Sequence, residues 1–124
     1  MDSSCSGTTG TKTLSATNAS FAIGQMILIH QSRGTGVSAW ELNKIDSYVA
    51  GTITTLLSLS NTYTDSGVSQ AQVLVLKQYS GVTVSGTLTA KAWDGNIGGI
   101  VAFLCSGKTT INGTVTAQGK GYGG

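Results

Sequence analysis

The stretch Val82-Thr83-Val84-Ser85-Gly86-Thr87-Leu88-Thr89-Ala90-Lys91 recurs 27 residues later as Thr109-Thr110-Ile111-Asn112-Gly113-Thr114-Val115-Thr116-Ala117-Gln118. Between the copies lies a further apolar run, Gly99 to Gly107 (GIVAFLCSG). Repeats of about 20 to 50 residues point to solenoids, blades or arrays, in which each unit buries its face only against its neighbour. Thr alternating with Val, Ile and Leu is strand chemistry, and glycines between such strands are corner chemistry. A 27-residue coil of this kind has the size of one rung of a parallel β-helix. The alternative is two antiparallel hairpins turning at Ser85-Gly86 and Asn112-Gly113, since Asn-Gly is the strongest short hairpin signal. The strand between the copies and the glycine-rich flanks favour the β-helix.

The residues before the repeat read as strands at short, regular intervals, near 11–15, 25–31, 39–47, 51–59 and 70–79. Turn chemistry separates them at Asn18-Ala19-Ser20, Arg33-Gly34-Thr35-Gly36, Ala50-Gly51 and Asp65-Ser66-Gly67. No segment sustains a 3.6-residue period with caps; Val37 to Ile45 fits strand alternation as well as helix. The expectation is an all-β chain: a small barrel or sandwich in residues 1–79, then the start of a parallel β-helix or paired hairpins in 80–124. With 124 residues, no proline and 18 glycines, the two layers belong to one domain.

Seven basic and five acidic side chains are spread along the chain, with no block that could track a phosphate backbone, so no nucleic-acid partner is expected. The apolar runs fall short of the roughly 20 residues of a membrane-spanning helix. No basic region leads into an apolar run at the N-terminus, so no ordinary secretory signal is read there. Cys5 and Cys105 fit neither a clustered zinc site nor a redox motif. They are either inert thiols or a disulfide closing a loop of about a hundred residues, worth on the order of 4 kcal/mol.

Hydrolysis or group transfer needs a nucleophile, a base within reach and a group to stabilise developing charge. His30 is the one histidine and follows the apolar run 26–29. Asp2, Glu41, Asp46, Asp65 and Asp94 are isolated along the chain. Asp94-Gly95-Asn96 lacks the alternating ligand series of a calcium loop and reads as a turn. Gly119-Lys120-Gly121 lacks the spacing of a phosphate loop. Asn18-Ala19-Ser20 and Asn112-Gly113-Thr114 match a glycosylation acceptor pattern that Ser/Thr-rich chains often contain by chance. The residues therefore predict no catalytic, cofactor or metal site. Trp40, Tyr48, Tyr63, Tyr79, Trp93 and Tyr122 are scattered singly; Trp40 and Trp93 seal a core or an interface, or else stack on a glycan.

The run Phe21 to Gln31 (FAIGQMILIHQ), followed by Gly51-Thr52-Ile53-Thr54 and Asn61-Thr62-Tyr63-Thr64, resembles the small β-module that recurs in phage tail, fibre and other surface proteins. The segment Gly98 to Gly124 is similar to the one that opens a β-helical or polyglycine region in such glycine-rich proteins. The resemblance implies a non-enzymatic virion protein, capsid-decorating or tail-associated, that works by binding other structural chains, including its own copies. Its implied location is the virion or the cell surface. The alternatives are a host-recognition module contacting a cell-surface glycan or protein, with Arg33, Trp40 and Tyr63 as candidate contacts, and a subunit of an extracellular filament. A cryptic hydrolase would need clustered carboxylates, which the sequence lacks. For assembly, the expected edge is residues 109–124, with Thr110, Ile111, Asn112, Val115 and Tyr122 as candidates, because two repeats are fewer than such folds usually need.

Overall fold

The computed structural model describes residues 2–17 and 20–121, and every regular element among them is a strand. The chain divides into two units, Met1–Val75 and Leu76–Gly124.

The first unit holds β1 (Asp2–Ser4), β2 (Thr13–Ser15), β3 (Met26–Arg33), β4 (Trp40–Val49), β5 (Thr52–Thr55) and β6 (Gln70–Val75). They form a single sheet in the order β1-β6-β3-β4-β5-β2, antiparallel throughout. It is one curled half-barrel and not two packed sheets. Its rims approach each other: Ser6, just beyond β1, and Ser15 of β2 exchange backbone hydrogen bonds of 3.1 and 2.8 Å. Bulges between Gln31 and Arg33 and between Ile45 and Ser47 add the local bend that such curling requires.

Strand alternation explains the core. Leu14, Ile27, Ile29, Ile45, Ile53 and Val73 all point inward with Tyr63, Leu59 and Cys5, and each is at most 2% exposed. Burying one such aliphatic side chain stabilises by about 1.5–3 kcal/mol. The β4–β5 connection is the two-residue turn expected at Ala50-Gly51, with φ of 49° and 81°; two positive φ values match the strand twist of a tight hairpin.

The expected strand 51–59 ends at Thr55. Its hydroxyl donates to the Leu57 carbonyl at 2.7 Å, and the Asn43 side chain holds both backbone groups of Leu57, so residues 56–59 leave the ladder. The expected strand 70–79 is interrupted at Leu76, where the units divide.

The second unit holds β7 (Lys77–Tyr79), β8 (Val82–Val84), β9 (Thr87–Thr89), β10 (Phe103–Cys105), β11 (Thr109–Ile111) and β12 (Thr114–Thr116). They pair as β7–β10, β8–β11 and β9–β12, all parallel. Val82 lies opposite Thr109 and Thr87 opposite Thr114, so the pairing follows the sequence repeat. The hairpin alternative is thereby corrected: neither copy pairs with itself. Asn112 and Gly113 are not among the positive-φ residues, so the Asn-Gly hairpin turn does not form. Instead, Asn112 N–H donates to Val84 O and Thr114 N–H to Gly86 O, each at 2.8 Å. The corners stack so closely that a Cβ on Gly113 would overlap the Gly86 carbonyl oxygen. Glycine is needed at 113 for close approach and not for a turn.

Candidate functional site

On β4 the residues facing inward are Glu41, Asn43 and Ile45, while Trp40, Leu42 and Lys44 face out. The buried polar groups on β3 and β4 are spent on one loop, residues 57–64. The Glu41 carboxylate accepts the Ser60 N–H at 3.0 Å, the Asn61 N–H at 3.2 Å and the Tyr63 hydroxyl at 2.9 Å. Asn43 takes both backbone groups of Leu57. Gln31, fully buried, donates to the carbonyls of Arg33 and Thr64 and accepts the Thr64 N–H. These bonds satisfy polar groups that would be costly to bury unpaired. Glu41 is thus an anchor for a loop.

Tyr63 is 2% exposed, which corrects its candidacy as a recognition residue: its ring belongs to the core and its hydroxyl to Glu41. Burial is the main cause that pushes its phenol up. Arg33 is half-buried at the bulged end of β3. Trp40 is 59% exposed, so it seals no core. It stands across from His30 on the outer face, with Leu42 beside it opposite Leu28. The trio Arg33, Trp40 and Tyr63 therefore offers one exposed aromatic and no shared face.

His30 Nδ1 lies 2.8 Å from the Ser32 hydroxyl, which accepts Gln72 Nε2 at 2.7 Å. Burial lowers the imidazole's pKa, favouring the neutral ring. A serine beside an imidazole is two parts of a nucleophilic site, but a carboxylate or other group orienting the ring is the third. In register, Gln72 and Trp40 lie on either side of His30.

Both cysteines are free thiols, the first of the two alternatives that the sequence leaves open. Cys5 is locked in the first unit's core, its N–H on the Ala71 carbonyl at 3.0 Å. Burial first, and the charge of Asp65 second, push its thiol up. Cys105 is half-buried on β10, its Sγ directed to the carbonyls of Gly107 and Lys108 at 3.6 and 3.7 Å. It borders a hollow of about 390 Å³ along β7 and β10, lined with Gln78, Tyr79, Ser80, Leu104 and Ser106. Asp94 accepts the N–H groups of Asn96 and Ile97 at 3.0 Å and pairs with Lys91 at 2.8 Å, the turn its sequence predicts. Among the described residues no group of three or more His, Cys, Asp or Glu could hold a metal ion.

The expected assembly edge, residues 109–124, holds β11 and β12. Val84 on the first copy is 9% exposed, whereas Ile111, directly above it, is 48% exposed. Leu88 is half-buried, whereas Val115 above it is 41% exposed. Thr110 is half-buried and Asn112 exposed; Tyr122 lies outside the described residues. The β8–β11 and β9–β12 pairs thus cover the apolar side chains of the first copy more than those of the second, whereas in β7–β10 the order reverses, with Tyr79 42% exposed and Phe103 half-buried.

No protein-family model matches the sequence, and no curated protein matches it.

Proposed function

We propose that this chain is a non-enzymatic structural subunit whose second unit begins a parallel β-helix and whose work is to join other structural chains, in a virus particle or on a cell surface. The observation that carries the reading is the parallel pairing of the two sequence copies, which ends in a layer with exposed Ile111 and Val115. Repeat folds bury a unit's face only against its neighbour, so the exposed Ile111 and Val115 form a face that a following unit or a partner chain would cover. The deployment of the polar groups supports the non-enzymatic part: Glu41, Asn43 and Gln31 staple a loop, and Asp94 closes a turn.

A second reading is favoured by one feature, the exposed Trp40 above His30, whose ring would stack on a glycan at a host surface. Residue-resolved amide exchange separates the two. In the assembly reading, Asn112 and Thr114 amides are protected at every concentration, and those of Ile111 and Val115 gain protection when a structural partner binds. Free exchange at 111 and 115 under all conditions, together with a glycan-dependent shift in Trp40 fluorescence, would replace it with the recognition reading.

A further inference from the structure

We infer that Asn112-Gly113 is a self-modifying site: the Gly113 nitrogen displaces the Asn112 side-chain amide, and the isoaspartate that results undoes the corner joining the second copy to the first.

This reaction needs an asparagine with a free side chain, a following amide free to lose its proton, and no Cβ on that next residue to crowd the ring. The corner meets all of these conditions. The Asn112 side chain is exposed, and among the described residues neither it nor the Gly113 N–H makes a hydrogen bond. The amides on either side are taken, Asn112 by Val84 O and Thr114 by Gly86 O.

Once the Gly113 nitrogen has lost its proton to solvent, it is the nucleophile. It attacks Asn112 Cγ, a C–N bond forms, and Nδ2 takes up a proton and leaves as ammonia. The product is a cyclic imide. Water then adds to either of its carbonyls and reopens the ring. One opening gives aspartate; the other gives isoaspartate, with the main chain rerouted through the side chain and longer by a methylene. In balance, a water is consumed and an ammonia released.

The other described asparagines lack these conditions. Asn43 is buried, its Oδ1 on the Lys44 and Leu57 amides and its Nδ2 on the Leu57 carbonyl. Asn61 Nδ2 donates to Trp40 O and to the Tyr63 hydroxyl. Asn96 is exposed, but the N–H of the following Ile97 is held by Asp94 Oδ1 at 3.0 Å. Asp94-Gly95 could close the same ring, yet its carboxylate is engaged by Lys91, Asn96 and Ile97.

The corner has no room for a longer main chain. Even a Cβ on Gly113 would overlap the Gly86 carbonyl oxygen, and the bonds of Asn112 and Thr114 to the first copy fix the spacing on both sides. The isoaspartyl form therefore loses the Thr114–Gly86 bond, and β12 slips from β9.

The full chain, incubated at mildly alkaline pH and sampled over time, tests this by peptide mass spectrometry and by enzymatic methylation of isoaspartyl carboxylates. Asn112 should be converted faster than Asn43, Asn61 or Asn96 by about tenfold or more. Its rate should climb with pH, because the deprotonated nitrogen attacks. In the aged chain the Thr114 amide should lose its exchange protection, while that of Cys5, bonded to Ala71 O in the first unit, is kept. Asn112→Ser, matching Ser85 at the same corner of the first copy, should abolish both changes. Asn112→Gln, whose longer side chain closes a ring far more slowly, decides the matter if serine destabilises the corner. An unconverted Asn112, conversion no faster than at the other asparagines, or isoaspartate with Thr114 still protected would each overturn the inference.

Discussion

The two units use the same strand-and-turn chemistry and finish differently. In the first, strands of up to ten residues join into one curled sheet, and its aliphatic side chains reach zero exposure. In the second, every strand is three residues long and pairs with one partner. A sheet that curls toward closure covers both ends of its own core. Short parallel pairs leave the apolar side chains of the second copy, Ile111 and Val115, exposed.

That contrast predicts unequal costs for the same truncation. Ile29→Ala in the first unit, where the side chain is fully buried, should cost about 2–5 kcal/mol because a cavity opens that the sheet cannot collapse. Ile111→Ala, at 48% exposure, should cost less than about 1 kcal/mol in the dilute chain. Urea unfolding monitored by residue-resolved exchange reads both. Equal costs would mean that the last layer is covered as well as the half-barrel core.

Much of this contrast was legible in the residues. The repeat offset became the parallel register of Val82 with Thr109 and Thr87 with Thr114, and Ala50-Gly51 became the hairpin turn. β4 was harder to read. Its apolar Trp40 and Leu42 share one face with Lys44, while Glu41 and Asn43 share the buried face with Ile45. A period-2 reading assigns such a strand by its bulky residues and so turns it over. The staples went unseen because their partners are backbone groups distant in sequence, as with Glu41 and Ser60 or Gln31 and Thr64. The one available signal was three polar residues, Gln31, Glu41 and Asn43, in inward register with Ile29 and Ile45.

Those staples supply the second prediction. Glu41→Gln keeps the size of the side chain but replaces one carboxylate oxygen with an amide that meets N–H donors. Hydrogen bonds to a charged group are worth about 1.5–3 kcal/mol. The urea midpoint should fall by that equivalent with an unchanged slope, a changed slope being the sign of altered compactness. No comparable loss is expected from removing a polar side chain of the second unit. If Glu41→Gln is neutral, the 57–64 loop is held by packing and the polar staples are incidental.

A smaller effect, of opposite sign, is expected at the hairpin. Ala50 holds φ at 49°, a region that costs an L-residue with a Cβ about 1–2 kcal/mol and glycine much less. Ala50→Gly should therefore stabilise the first unit by about 0.5–1 kcal/mol after its greater unfolded-state freedom is counted. Thermal denaturation would show this as a higher midpoint. A lower one would mean that the turn is not strained.

The weakest expected effect is that of pH, and it separates the units by the range in which each responds. His30 has its pKa lowered by burial below the ordinary 6.5, so its folded form binds a proton less readily than its unfolded form. Stability from the neutral ring is complete above about pH 6.5 and is lost as the pH falls through that value toward the lower folded pKa, because only the unfolded chain gains the proton there. Asp94 has its carboxyl held well below the ordinary 3.8, chiefly by the hydrogen bond from Lys91 and then by the Ile97 and Asn96 amides. Its contribution is present above 3.8 and is lost only as the pH falls through the acid range below it. Because Asp94 is fully exposed, salt should erode that contribution. Thermal midpoints of the first unit should therefore begin to fall between pH 7 and 6, and His30→Gln should flatten that slope. The second unit's 91–97 turn, followed by the Asn96 and Ile97 amide shifts, should hold until strongly acidic pH. If the His30→Gln profile matches the parent between pH 7 and 5, the outer face of β3 is wet enough to leave the imidazole unperturbed, and the difference in acid response must be sought elsewhere in the half-barrel.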